Sequence, residues 1–76
     1  MKSIFNKKLY DTNKSEKLCN VGFSGYSVWI TSKGSLFLFN DITMQICNTD
    51  QERIKDILGQ ENPEKYIELF GEVEEA

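Results

Sequence analysis

Histidine is absent from this chain of 76 residues, cysteine occurs twice, and proline, tryptophan and arginine once each. Each shortage excludes something. Without histidine the chain lacks the commonest general base, the usual activator of a Ser or Cys nucleophile and the commonest metal ligand. Cys19 and Cys47 stand far apart with no CxxC spacing, so they cannot build a four-cysteine zinc site. A secreted domain of this size usually carries more disulfides, so two reduced, mostly buried thiols and a cytoplasmic setting are expected. No apolar run approaches the roughly 18 residues of a membrane span. The start, Met1 to Asn6, turns polar too early for a secretory leader. Neither GxGxxG nor a GxxxxGK loop followed by Ser or Thr occurs, so nothing in the pattern cradles a nucleotide phosphate. Carboxylates can work in pairs. Here they cluster on short terminal segments where a solvated face explains them, and a domain this small gives little depth for shifting their pKa values. No enzyme activity, cofactor or metal is expected.

What is present is aromatic and charged. Phe, Tyr and Trp make up 12% of the chain, and each buries about 150–250 Å², so a few can anchor a small core. The net charge of −3 is unevenly divided: residues 1–49 carry a balance of +3 and residues 50–76 a balance of −6. Such a division creates a field that favours a basic partner, or serves solubility alone.

The pattern predicts a single α+β domain over 1–76, with strands in 1–48, two short helices in 49–71 and an acidic tail in 72–76. An edge strand spans Ile4 to Tyr10, with a turn at Asn6-Lys7-Lys8. Asp11-Thr12-Asn13 offers side-chain oxygens to nearby amides and suits a turn or short helical turn through Glu16. Leu18 to Val21 reads as a second strand, stopped by Gly22 and Gly25. The strongest signal is a hairpin: Tyr26 to Thr31 and Ser35 to Phe39 are rich in β-branched and aromatic residues, and Gly34 between them can take the positive φ of a tight loop. A two-residue Lys33-Gly34 loop pairs Ile30 with Phe37 and Val28 with Phe39 on one face and leaves Trp29, Leu36 and Leu38 on the other. A three-residue loop regroups these sets, because a one-residue slip exchanges faces. Ile42 to Cys47 alternates as a half-buried strand does.

Thr49-Asp50-Gln51-Glu52 has capping-box spacing and opens a helix over Asp50 to Leu58, with Ile54, Ile57 and Leu58 inward and Gly59 as its stop. Asn62-Pro63 opens a second helix with the stripe Tyr66, Leu69, Phe70 and Val73, ended by Gly71. Strands followed by helices argue an antiparallel sheet of four to five strands with both helices on one face.

If only one face is covered, the row of Trp29, Leu36 and Leu38 is left as an apolar patch of the kind that marks interfaces. The other reading is that terminal segments fold over this face and make Trp29 core. Glu64, Glu68 and Glu72 lie on the acidic helical half, either as a soluble surface or as a strip imitating nucleic-acid phosphates. Lys7, Lys8, Lys14, Lys17 and Lys33 accompany aromatic strands, which raises nucleic-acid binding. A single arginine and the negative net charge disfavour it, and lysines also protect edge strands from aggregation.

Three short stretches, Tyr10-Asp11-Thr12, Lys33-Gly34-Ser35-Leu36-Phe37 and Tyr66-Ile67-Glu68-Leu69-Phe70-Gly71, give the chain a likeness that spans most of its length. It resembles a family of small proteins carried by bacterial phages and integrative elements. Asn40-Asp41 stands where that family has a glycine-rich acidic stretch, so any role of that stretch does not carry over. The resemblance implies a compact mobile-element protein of the kind that disables host machinery, anti-CRISPR proteins being the best-known inhibitors of this size. The expected partner is then a host protein or ribonucleoprotein effector with a basic surface, bound through Trp29, Leu36 and Leu38 and steered by Glu64, Glu68 and Glu72. A homodimer built on the same apolar row is the competing expectation.

Overall fold

The computed structural model describes residues 2–5, 7–47 and 50–71. Among them are six strands followed by two helices: β1 (Lys2–Phe5), β2 (Lys8–Asp11), β3 (Ser15–Val21), β4 (Tyr26–Thr31), β5 (Leu36–Asn40), β6 (Gln45–Cys47), α1 (Gln51–Glu61) and α2 (Pro63–Phe70). The architecture is α+β, as the element order predicts. The strands form two antiparallel sheets, a β1–β2 hairpin and a four-stranded sheet in the order β3-β4-β5-β6.

The first expected strand, Ile4 to Tyr10, is therefore a hairpin. Its chain reverses beside Lys7, which takes a φ of 63°. Asp11 then accepts a hydrogen bond from the Asn13 amide at 3.0 Å and opens a 3-10 turn over Thr12–Lys14. Ser15 donates its hydroxyl proton to the Asp11 carbonyl at 2.7 Å, and β3 starts there.

The register of β4 against β5 corrects the two-residue-loop expectation. Val28 lies opposite Leu38, Trp29 opposite Phe37, and Ile30 opposite Leu36. The loop holds three residues, 32–34. The Thr31 amide donates to the Ser35 carbonyl at 2.8 Å and the Gly34 amide to the Thr31 carbonyl at 3.0 Å. Thr31 Oγ1 also accepts from the Ser35 amide at 3.1 Å. Gly34, at φ 90°, supplies the left-handed residue such a loop requires. Because side chains alternate with period two, the added residue moves Leu36 and Leu38 to the face of Val28 and Ile30, and sets Trp29 with Phe37 and Phe39.

Each face has its own core. On one side Ile54 and Leu58 of α1 pack with Leu18, Val28 and Leu36, flanked by Cys19, Val21, Ile30, Leu38, Ile57 and Tyr66. A bulge between Lys17 and Cys19 delivers two consecutive residues, Leu18 and Cys19, to this side. On the other side Tyr10 packs with Phe37, Phe39 and Ile46, flanked by Phe5 and Trp29. The helices thus cover one face as expected, while the N-terminal hairpin covers the other.

Three local expectations shift. The strand expected over Ile42 to Cys47 begins only at Gln45. Asn40 Oδ1 accepts from the amides of Ile42 (2.9 Å) and Thr43 (3.1 Å), and the Met44 amide returns to the Asn40 carbonyl at 2.8 Å, winding 41–44 into a turn. At the start of α1 the cap is Asp50, which accepts from the Glu52 amide at 3.1 Å; Thr49 lies outside the described residues. Gly59 does not stop α1, which continues to Glu61. Asn62 serves both helices instead: its amide donates to the Leu58 carbonyl at 2.7 Å and its side chain accepts from the Lys65 amide at 3.2 Å. Gly59 faces the Tyr66 ring, which a Cβ there would meet at 3.5 Å. Pro63 opens α2 and Gly71, at φ 92°, closes it; Val73 of the expected stripe lies outside the described residues.

Candidate functional site

The three apolar residues expected to share an exposed face do not share one. Leu36 is 2% exposed beneath α1, and Leu38 is half-buried on the same side. Gln51 locks Leu36 further, donating from Nε2 to its carbonyl at 2.6 Å and accepting from its amide at 2.8 Å. These two bonds imitate a neighbouring strand where β6, which pairs only with Leu38 to Asn40, does not reach.

Trp29 lies on the opposite face, half-buried at the border of the aromatic core. Its ring stacks on Phe37, with centroids 6.1 Å apart at 23°, and meets Phe39 edge-on at 5.9 Å. Tyr10 from the hairpin meets Phe37 edge-on at 5.6 Å. Trp29 Nε1 donates to Ser27 Oγ at 2.8 Å. The buried Ser27 hydroxyl lies 3.4 Å from the Phe39 carbonyl and 3.2 Å from Asp41 Oδ1, and its single proton serves one of the two. The indole is therefore oriented from below and flanked by aromatic rings. The reading in which a terminal segment folds over this face describes Trp29 better than a bare patch does.

The four-stranded sheet carries its large exposed apolar side chains at one end. Phe23, in the β3–β4 turn, is fully exposed; Ile42 and Met44, in the β5–β6 turn, are 78% and 54% exposed. The Asp41 amide donates to the Gly25 carbonyl at 2.7 Å, binding the two turns together. Ile42 lies against Gly25 so closely that a Cβ there would stand 2.7 Å from Ile42 Cδ1. A second exposed pair, Ile4 and Leu9, lies cross-strand on the hairpin. Sequence reasoning assigned Ile42 to a strand and passed over Phe23. The available signal was a phenylalanine inside Gly22-Phe23-Ser24-Gly25, a turn too polar and too tight to bury it.

On the acidic side, Glu64 and Glu68 are exposed on α2, and Glu72 lies outside the described residues. Glu68 is not a free charge, because Lys65 Nζ bridges it at 3.4 Å and Glu16 of β3 at 3.5 Å. The two carboxylates, Glu68 foremost, hold the Lys65 ammonium above the ordinary lysine range. Lys55 Nζ sits 4.5 Å above the Phe70 ring, yet Leu69 and Phe70 of the expected α2 stripe stay exposed, as does Ile67, because α2 packs mainly on α1 through Tyr66. Cys19 is a half-buried thiol whose pKa is pushed up by burial first and by the nearby Glu61 carboxylate second, with Lys17 opposing.

Three lysines do converge. Lys8 of β2, Lys14 of the 3-10 turn and Lys33 of the β4–β5 loop line one cleft of about 450 Å³, with the half-exposed Leu9 beside them. Lys17 does not join them, and neither does Lys7. Among the described residues no three His, Cys, Asp or Glu side chains gather as metal ligands would, and no helix is long and apolar enough to cross a membrane.

Comparison with known protein families, with curated proteins and with solved structures finds no match.

Proposed function

We propose that this chain is a stoichiometric protein-binding module whose contact surface is the turn end of the sheet, centred on Phe23, Ile42 and Met44. One observation carries the reading: three large apolar side chains stand in solvent on two turns that are hydrogen-bonded to each other. Large apolar side chains grouped in solvent are characteristic of interaction sites, and the bond between the two turns limits what binding must order. Trp29 supports the surface indirectly, through Ser27 and Asp41 at the base of the β5–β6 turn. Glu64 and the α1 acids Glu52, Asp56 and Glu61 supply a negative field that speeds encounter with a basic partner and weakens as salt rises. The likeness to phage and integrative-element proteins makes the expected partner a host defence effector, an anti-CRISPR role being the leading form, with inhibition by occupancy.

The test is capture from host lysate followed by an infection assay. A polypeptide retained by the native chain and by an Ile4→Ser/Leu9→Ser variant, but lost by Phe23→Ser/Met44→Ser, supports the surface. The same Phe23→Ser/Met44→Ser variant should restore defence against phage in cells whose effector the native chain silences. Retention unaffected by Phe23→Ser/Met44→Ser would refute the reading. A concentration-dependent dimer that Phe23→Ser abolishes would assign the surface to self-association instead.

A further inference from the structure

At the opposite end of the sheet from Phe23 and Ile42, the β4–β5 loop meets the N-terminal hairpin and encloses the cleft of about 450 Å³. Its lining includes Lys8, Leu9 and Asp11 from β2, Lys14 from the 3-10 turn and Lys33 from the loop. The three lysines come from three separate segments, so only the tertiary fold brings them together. All three are exposed, and among the described residues none is held in an ion pair. The lining contains one acid, Asp11, which is buried and accepts from the Asn13 amide at 3.0 Å. Three ammonium groups against one carboxylate leave the cleft positive in a chain whose net charge is −3.

Three cationic side chains lining one cleft give it a positive potential that attracts an anion. The cleft is also more than a charged rim. Leu9 lines it as a half-exposed apolar side chain, while Tyr10 borders it with its ring turned into the core against Phe5 and Phe37. A volume in the range of about 300–1,000 Å³ is typical of small-ligand sites, which combine an apolar wall with a few polar anchors. The acidic helices and the negative total argue against an extended polyanion, whose affinity grows with the number of phosphates neutralised. A short phosphate ester with a flat apolar group satisfies both halves of the lining. We infer that this cleft binds a nucleotide-sized phosphate ester, its phosphates held by Lys8, Lys14 and Lys33 and its planar group laid against Leu9. The site is separate from the protein-binding surface proposed above and does not depend on it.

The test is an amide-shift titration of the isotope-labelled full chain at low salt with three probes: adenosine triphosphate, inorganic tripolyphosphate and adenosine. Adenosine triphosphate should move the amide signals of Lys8 to Ser15 and Thr31 to Ser35, bind more tightly than tripolyphosphate, and weaken as salt rises. Lys14→Gln and Lys33→Gln should each weaken it by roughly five- to tenfold, the effect of losing about 1–1.4 kcal/mol. Lys17→Gln, which removes a lysine outside the cleft, should leave affinity unchanged, and an unaltered Trp29 emission spectrum reports that each variant is folded. Adenosine triphosphate that leaves these amides in place would overturn the site. So would equal losses from Lys17→Gln and Lys33→Gln. Tripolyphosphate binding as tightly as adenosine triphosphate would overturn the planar group and its wall.

Discussion

Replacing Tyr10 by alanine removes the side chain that fastens the N-terminal hairpin to the sheet. Tyr10 is 6% exposed, meets Phe37 edge-on at 5.6 Å and packs against Phe5 at 5.9 Å. Truncating a buried aromatic costs about 3–5 kcal/mol, the edge-to-face contact included. A chain of 76 residues has a total stability of about 4–11 kcal/mol at the usual 0.05–0.15 per residue, so this one substitution removes a large share of it. With a urea m-value near 1 kcal/mol/M, the unfolding midpoint should fall by about 3–5 M, enough to unfold a chain at the low end of that range. The single tryptophan makes the assay direct. Trp29 belongs to the same aromatic cluster, so its emission reports both global unfolding and any lifting of the hairpin in native buffer, where a red shift is expected. Ile4→Ala and Leu9→Ala provide the comparison. Both residues belong to the same hairpin but are exposed, and each change should cost no more than about 0.5 kcal/mol. A Tyr10→Ala loss below about 1 kcal/mol, or an equal loss from Ile4→Ala, would refute the hairpin's role as the cover of the second face.

Ser27→Ala deprives Trp29 Nε1 of its acceptor within a buried network and should destabilise by about 1–3 kcal/mol, measured by urea unfolding, with a shift in native tryptophan emission. Gly59→Ala should stabilise by about 0.4–1 kcal/mol, because the residue is inside α1 and the added methyl meets the Tyr66 ring at an ordinary contact distance; thermal unfolding checks the sign. Cys19, its thiol pushed up by burial and Glu61, should react with iodoacetamide at mildly alkaline pH more slowly than the same cysteine in the unfolded chain. The folded form holds that proton more tightly than the unfolded one, so the contribution of Cys19 to stability is complete below the ordinary thiol range and is lost as pH rises from there through the raised range of the folded thiol.

Much of this protein was legible in local chemistry. Asn62-Pro63 and Gly71 bound α2 because a capping side chain, a residue without an amide proton and a left-handed glycine each have few other places to stand. The runs around Gly34 declared a hairpin because β-branched and aromatic side chains fit a pleated, half-buried surface. The division of charge was likewise plain, since it requires no coordinates.

Partnership between faces was not legible. Whether Trp29 stands with Leu36 and Leu38 or with Phe37 and Phe39 turned on a single loop residue, fixed by the bonds among Thr31, Gly34 and Ser35 that local propensity does not rank. Nor could periodicity show that Phe5 and Tyr10, some twenty residues earlier in the chain, would close the second face, because both faces of the hairpin β4–β5 were apolar and the choice of cover is a long-range packing decision. That choice covered the second face of β4 and β5 and left Phe23, Ile42 and Met44 of the turns in solvent. It also drew Lys8 and Lys14 beside Lys33. The sequence determined the elements and the chemistry they carry; tertiary packing decided which of those groups meet and which remain in water, because alternation along a strand sets two faces without saying what will lie against either.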